Sequence, residues 1–270
     1  MMTRSVQQNL LFGASDTALR SESAIRESIA RLLAIYSRGL LGGSVMPEDS
    51  NPGLPVSEID NYHYFTLPMA LNYQRNSYTL WRAARTTYFD PTTSDVFRPK
   101  AVCKMDESDL AAMLMKHSVA LQPRKHTATW RRLCETIQEL YEGDIRTLFT
   151  QTSGSVPAIL EIIQGTQKKQ FPYLSGPKIA NYWLHVMESY TDVHLTDRGG
   201  LTVAPDTHVI QASVRLGLVQ GGQRDDTELR NEVAEAWRNV LAPTGILPID
   251  VHTPLWLWSR SGFQFSAEIL

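Results

Sequence analysis

The chain predicts an all-α protein, and three observations carry that reading. Apolar residues recur three and four positions apart in most segments, the spacing of one helical face. No stretch sustains the period-two alternation of a half-buried strand. The apolar runs are bracketed by Ser, Asp or Asn before them and by Gly or Pro after them, the start and stop residues of helices.

Taken in order, residues 1 to about 20 are a polar lead-in, and 23–41 places Ile25, Ile29, Leu32, Leu33 and Tyr36 on one helical face. Ser23 is the expected N-cap and Gly42-Gly43 the stop. The Pro-, Gly- and Asp-rich run 46–60 reads as a linker. Residues 62–88 read as two helices with a polar break over Asn72–Ser77, and Asn76 or Ser77 caps the second. Further helices are expected over 106–121, with acids at its favoured N-terminal end, and over 127–143, stopped by Gly143. Another starts at 156 with Pro157 in its first turn. An apolar helix follows the Pro-Tyr-Leu-Ser-Gly-Pro turn of 172–177, and 191–206 is irregular. The last three expected helices are 207–219, ending at Gly217, an amphipathic 225–245 closed by Ala-Pro, and an aromatic-rich 248–263. The total expected is eight to ten short helices, with 1–60 an N-terminal helix and linker and 61–270 the main domain.

Composition excludes several classes. With 43% hydrophobic and 20% charged residues, 270 residues are enough for one large or two modest globular domains. No run of about 18 apolar residues suggests a membrane span. The first twenty residues lack a secretory signal, so a cytoplasmic location is expected. Cys103 and Cys134 are far apart and in no metal-ligand spacing, which reads as reduced thiols. A net charge of −2 provides no global basic field for a nucleic-acid partner. The local basic run 123–132 reads either as a phosphate-tracking stripe or as a solvated helix face.

Two segments hold residues with a chemical use. In Gly176-Pro177-Lys178-Ile179-Ala180-Asn181, a lysine sits where a tight turn hands over to an apolar helix. In Pro205-Asp206-Thr207-His208-Val209, an aspartate stands just ahead of a helix, in N-cap position, where its carboxylate would be rigidly aimed. Taken singly, Lys178 reads as a solvated first-turn lysine and Asp206 as either a cap or a catalytic acid.

Together, and in this order, the two segments resemble the helix–hairpin–helix DNA glycosylases of the endonuclease III type. That family has a Leu-Pro-Gly-Val-Gly-Arg-Lys-Thr-Ala-Asn hairpin and, downstream, Val-Asp-Thr-His-Val followed by Arg-Leu-Gly. Arg215-Leu216-Gly217 supplies the last piece here. The resemblance extends over about residues 60–265 and is specific in 172–218. It implies two interleaved helical subdomains with a helix–hairpin–helix motif and a cleft between them. It also implies that Lys178 is the nucleophile and Asp206 the assisting carboxylate. Gln74 falls near the glutamine that the family pushes into the DNA stack, with Tyr73 beside it. Ser175, Gly176, Lys168, Lys169 and His208 are the remaining candidate contacts to substrate or DNA.

The implied partner is double-stranded DNA with a flipped base, bound by a monomer that is nucleoid-associated if it acts on DNA. The chain departs from the pattern in three ways. Ser175 replaces an apolar hairpin residue and Pro177 removes one N–H, which weakens the amide grip on phosphate. The Lys178–Asp206 gap of 28 residues is longer than usual. Two cysteines cannot supply a four-cysteine iron–sulfur cluster, so no cofactor is expected.

The pair makes chemical sense without the family. Cleavage of an N-glycosidic bond builds oxocarbenium-like charge that a carboxylate stabilises. A neutral amine attacks C1′ and leaves an iminium, and apolar surroundings such as Tyr182 and Trp183 favour the neutral form. Two rival readings stay open: an N-glycosidase of a free modified nucleoside or nucleotide, and a non-catalytic nucleic-acid-binding helical module. His194 among Asp192 and Asp197 reads as surface rather than metal site, and the Trp256/Trp258 pair as core.

Overall fold

A computed structural model describes residues 18–41, 46–72, 75–221 and 226–266. They are all-α, and the isolated bridge between Ser155 and Thr196 is the only extended pairing among them. The chain divides into two compact units: 45–200, and a discontinuous unit of 1–44 with 201–270.

In the discontinuous unit, α1 (Glu22–Ser37) is capped by Ser21, whose hydroxyl accepts from the Ala24 N–H at 3.3 Å. The cap is thus two residues ahead of the expected Ser23, and the helix stops at Ser37; the expected stop, Gly42 and Gly43, lies outside the described residues. The other helices of this unit are α10 (Thr207–Arg215), α11 (Asp226–Leu241) and α12 (His252–Arg260). α10 packs closely on α12, and α1 covers both α11 and α12. Ile25, Ile29, Leu32, Val209, Val233, Trp237, Leu255 and Trp258 form its core. Each contributes about 1.5–3 kcal/mol on burial. The two inner tryptophans keep their indole N–H groups paired, Trp237 with Ser213 Oγ and Trp258 with the Phe265 carbonyl, both at 2.8 Å. Gly217 ends α10 at φ +73, and any Cβ there would lie 2.7 Å from the Ala18 carbonyl oxygen, so this position takes only glycine.

The unit 45–200 contains α2 (Ile59–Thr66), α3 (Ser77–Phe89), α4 (Pro99–Val102), α5 (Glu107–Lys116), α6 (Pro123–Leu140), α7 (Arg146–Gln151), α8 (Val156–Leu160) and α9 (Pro177–Tyr190). Asn76 caps α3, accepting from the Thr79 N–H at 3.1 Å, as its place before an apolar run predicts. α6 starts four residues before the expected 127, because Pro123 suits a first helical position; the basic run is therefore about its first three turns. α8 continues into a π-helical turn over Glu161–Thr166. Tyr64, Phe65, Trp81 and Phe97 form an aromatic core whose ring centroids lie 5.3–5.8 Å apart. Trp130 of α6 closes it, donating to the Val96 carbonyl at 2.8 Å.

The irregular segment after α9 is fastened within its own unit. Thr196 N–H donates to Gly154 O at 2.9 Å, and Val156 N–H to Thr196 O at 3.1 Å. Gly154, at φ +71, permits that approach: a Cβ would lie 2.2 Å from the His194 carbonyl oxygen. Arg198 pairs with Glu188 at 2.8 Å. Among the described residues, no helix is long and apolar enough to cross a membrane.

Candidate active site

Lys178 is the second residue of α9 and is half-buried. The turn before it is anchored by Phe171 and Leu174, both fully buried. Its amides turn inward: Leu174 N–H donates to Pro172 O at 2.8 Å, Ser175 N–H to Phe171 O at 2.9 Å, and Gly176 N–H to Tyr173 O at 3.1 Å. Pro177 has no N–H to give. The left-handed residue of the turn is Tyr173, at φ +62, whereas Gly176 has an extended backbone at φ −62 and ψ 139. Gly176 therefore owes its place to space, not to dihedral freedom: a Cβ would approach the Tyr173 carbonyl at 3.2 Å.

One turn beyond Lys178, on the same face of α9, the Tyr182 hydroxyl donates to Glu48 Oε1. Glu48 belongs to a 3₁₀ turn, Pro47–Asp49, and is 2% exposed. Burial raises its carboxyl to about 7, partly offset by the hydrogen bonds from Tyr182 and the backbone. Its Oε2 has no hydrogen-bond partner among the described residues. Two turns further along α9, the Tyr190 hydroxyl donates to Asp49 Oδ1 at 2.6 Å. Consecutive acids of the segment read as a linker thus dock on the tyrosines of α9. The only local signal of this was Pro-Glu-Asp inside a polar stretch, which reads as a loop.

Asp206 caps α10 as expected. Its Oδ1 accepts from the Val209 N–H at 2.9 Å, and its Oδ2 accepts from the Trp256 indole N–H at 3.0 Å. Both carboxylate oxygens are therefore held by donors, one local and one from α12. Arg230 fixes the residue before, donating to the Pro205 carbonyl. His208, the second residue of α10, joins the same network: its Nδ1 is 3.1 Å from Ser259 Oγ, which in turn donates to Gln211 Oε1 at 3.0 Å. The His208 ring meets Trp256 edge-on at 5.3 Å between centroids. Trp256 is thus both core and a positioning partner of Asp206, a role that no spacing in the sequence advertised.

The other candidate residues fall apart in kind. Ser175 is buried, and Lys168 and Lys169 are exposed in the turn after the π-helical segment. Gln74 and Tyr73 lie outside the described residues. Lys178 belongs to the unit 45–200 and Asp206 to the other. Among the described residues, no group of three or more His, Cys, Asp or Glu side chains is arranged to hold a metal ion. No known protein family matches the chain, and no curated protein sequence matches it.

Proposed function

We propose that this chain is a DNA N-glycosylase with lyase capacity, of the helix–hairpin–helix type, excising a damaged or modified base. The observation that supports this reading best is the Asp206 carboxylate, fixed through both oxygens at the start of α10. A negative group held this rigidly stabilises positive charge developing on a sugar without having to reorganise. Lys178 Nζ, as the neutral amine, attacks C1′ while the C1′–N bond breaks and its electron pair leaves with the base. The attacking nitrogen loses its proton, O4′ leaves C1′ and is protonated, and an iminium joins lysine to the opened sugar.

Borohydride tests this directly, because hydride delivered to C1′ of the iminium makes the link permanent. Duplex DNA carrying assorted lesions or an abasic site is expected to give a trapped adduct. The adduct should vanish in Lys178→Ala and persist in Lys168→Ala. No adduct with any of these substrates sinks the lyase reading.

A second reading keeps the glycosidic chemistry and changes the substrate to a free modified nucleoside or nucleotide. It is favoured by the turn before Lys178, whose Leu174, Ser175 and Gly176 amides already donate inward. A phosphodiester gripped by amides at a helix start needs such groups pointing outward. Base release from a nucleoside, with no trapped DNA adduct, would select this reading.

A further inference from the structure

Within the unit 45–200, a 110 Å³ cavity opens between the start of α6, the 3₁₀ turn Pro68–Leu71 and the turn before α9. Its volume is far above the roughly 10–15 Å³ that a single water requires. Arg75, Lys125 and His126 line it, with Gln122 and Tyr173, and no Asp or Glu is among its described lining residues. Arg75 is held in place by two carbonyls, Val119 O at 2.5 Å and Ser118 O at 3.0 Å, while its buried Nε has no partner among the described residues. Lys125 Nζ lies 4.9 Å from the centre of the Tyr173 ring. The Leu121 N–H donates to His126 Nδ1 at 3.0 Å, which assigns the proton of the neutral imidazole to Nε2 and makes that nitrogen a donor.

The electrostatics are one-sided. α6 has no acidic residue in its first turn and no side-chain cap, so its positive end adds to the two cations. The His126 imidazolium is disfavoured by burial first, and then by Arg75 and Lys125. A fold that clusters like charges around an open cavity, at a cost in stability, balances them when an anion enters. A guanidinium, an ammonium and an imidazole N–H are donors suited to a tetrahedral oxyanion.

We propose that this cavity binds a phosphate group, which comes either from a nucleic-acid backbone or from the phosphomonoester of a free nucleotide. The assignment rests on the lining charges and not on Lys178 or Asp206. It also gives the basic run of α6 a use, and brings Tyr173, the left-handed residue of the turn before Lys178, into contact with that use.

The test is calorimetric titration of the full chain with inorganic phosphate at low ionic strength, with chloride as the matched control. A dissociation constant on the order of 1 mM is expected for two cationic donors and a neutral one. Lys125→Gln should weaken binding about tenfold, and Lys104→Gln, at an exposed lysine outside the cavity lining, should leave it unchanged. Arg75→Gln also strips the Ser118 and Val119 carbonyls of their donor, so the exposed Lys125 is the deciding position.

Two further titrations separate the sources. For a backbone phosphate, Lys125→Gln lowers affinity for a short duplex and reduces the salt slope by about one. For a phosphomonoester, a nucleoside 5′-monophosphate binds at least about tenfold tighter than its nucleoside, and Lys125→Gln erases the difference. Phosphate heats no larger than those of chloride, or a phosphate affinity equal in wild type and Lys125→Gln, overturn the assignment. Neither outcome touches the borohydride result at Lys178, so the two proposals fail separately.

Discussion

Helix α10 begins under the carboxylate of Asp206, which satisfies a first-turn amide and accepts the indole N–H of Trp256 as well. Helix α9 begins on Gly176 and Pro177 with no side-chain cap, after a turn whose amides serve its own carbonyls. Its carboxylate partners meet it further along, Glu48 on Tyr182 a full turn inside the helix and Asp49 on Tyr190 at its end. One candidate residue is thus structural by position, and any chemistry it performs is added to that. The other, Lys178, stands at the second position of a helix that starts without a side-chain cap, so its replacement is expected to show in activity more than in stability. The contrast separates stability effects from activity effects at the two helix starts.

The largest stability effect should come from Glu48. Its native carboxyl is raised to about 7 from 4.5, so between these values the folded chain keeps a proton that the unfolded chain gives up. Stability contributed by the neutral acid is therefore lost as pH rises from 4.5 through 7, by up to about 3 kcal/mol. Glu48→Gln keeps an acceptor for Tyr182 and removes the titration. The variant should match wild type near pH 4 and exceed it by up to about 3 kcal/mol above pH 7 in urea unfolding. His63 slopes the other way: burial lowers it to about 4, so its stability is lost as pH falls from 6.5 to 4. Taking the difference between variant and wild type cancels that contribution. A difference flat across pH 4–8 would refute the buried neutral acid.

Next in size is the contrast of the caps themselves. Asp206→Ala removes the acceptor of Val209 N–H and leaves the Trp256 indole without its partner, at a combined cost of about 2 kcal/mol. Lys178→Ala should change stability by no more than about 0.5 kcal/mol, since lysine contributes little at a helix start and alanine is a good helix former. Paired urea denaturation curves decide the matter. Equal losses at both positions would mean that Lys178 is structural too, and would weaken the case for it as a nucleophile.

What the sequence disclosed follows the range of the interactions involved. Asp206 and Asn76 were legible as caps because a cap bonds an amide only three residues away. The stops at Gly143 and Gly217 were legible for the same reason, both having positive φ. Glu48 was not: its burial depends on Tyr182, 134 residues distant, and its own neighbourhood is as polar as any loop. Trp256 reads as core from its apolar neighbours, and nothing local shows that its N–H finds Asp206 across 50 residues. The short helices α4 and α7 escaped notice because four and six residues are too few to display a period. The turn before Lys178 contains a glycine, yet a tyrosine occupies its left-handed position, and no neighbouring residue type signals that.

That inversion yields the smallest effect and a clean way to sharpen the comparison. At position 173, alanine and glycine both delete the ring and its contact with Lys125, and they differ only in the backbone they tolerate. At φ +62 the Cβ of alanine is strained and glycine is not, so Tyr173→Gly should be the more stable of the two variants by about 1 kcal/mol. At position 176, where φ is −62, alanine is free of that strain and meets only the Tyr173 carbonyl at 3.2 Å. Gly176→Ala should then cost less than about 1 kcal/mol, the neighbouring carbonyl giving by a few tenths of an ångström. If the preference for glycine were instead weak at 173 and strong at 176, the turn would be folding as a glycine-dependent hairpin after all. Its amides would then face outward, and the case for an amide grip on a nucleic-acid phosphate at the start of α9 would return.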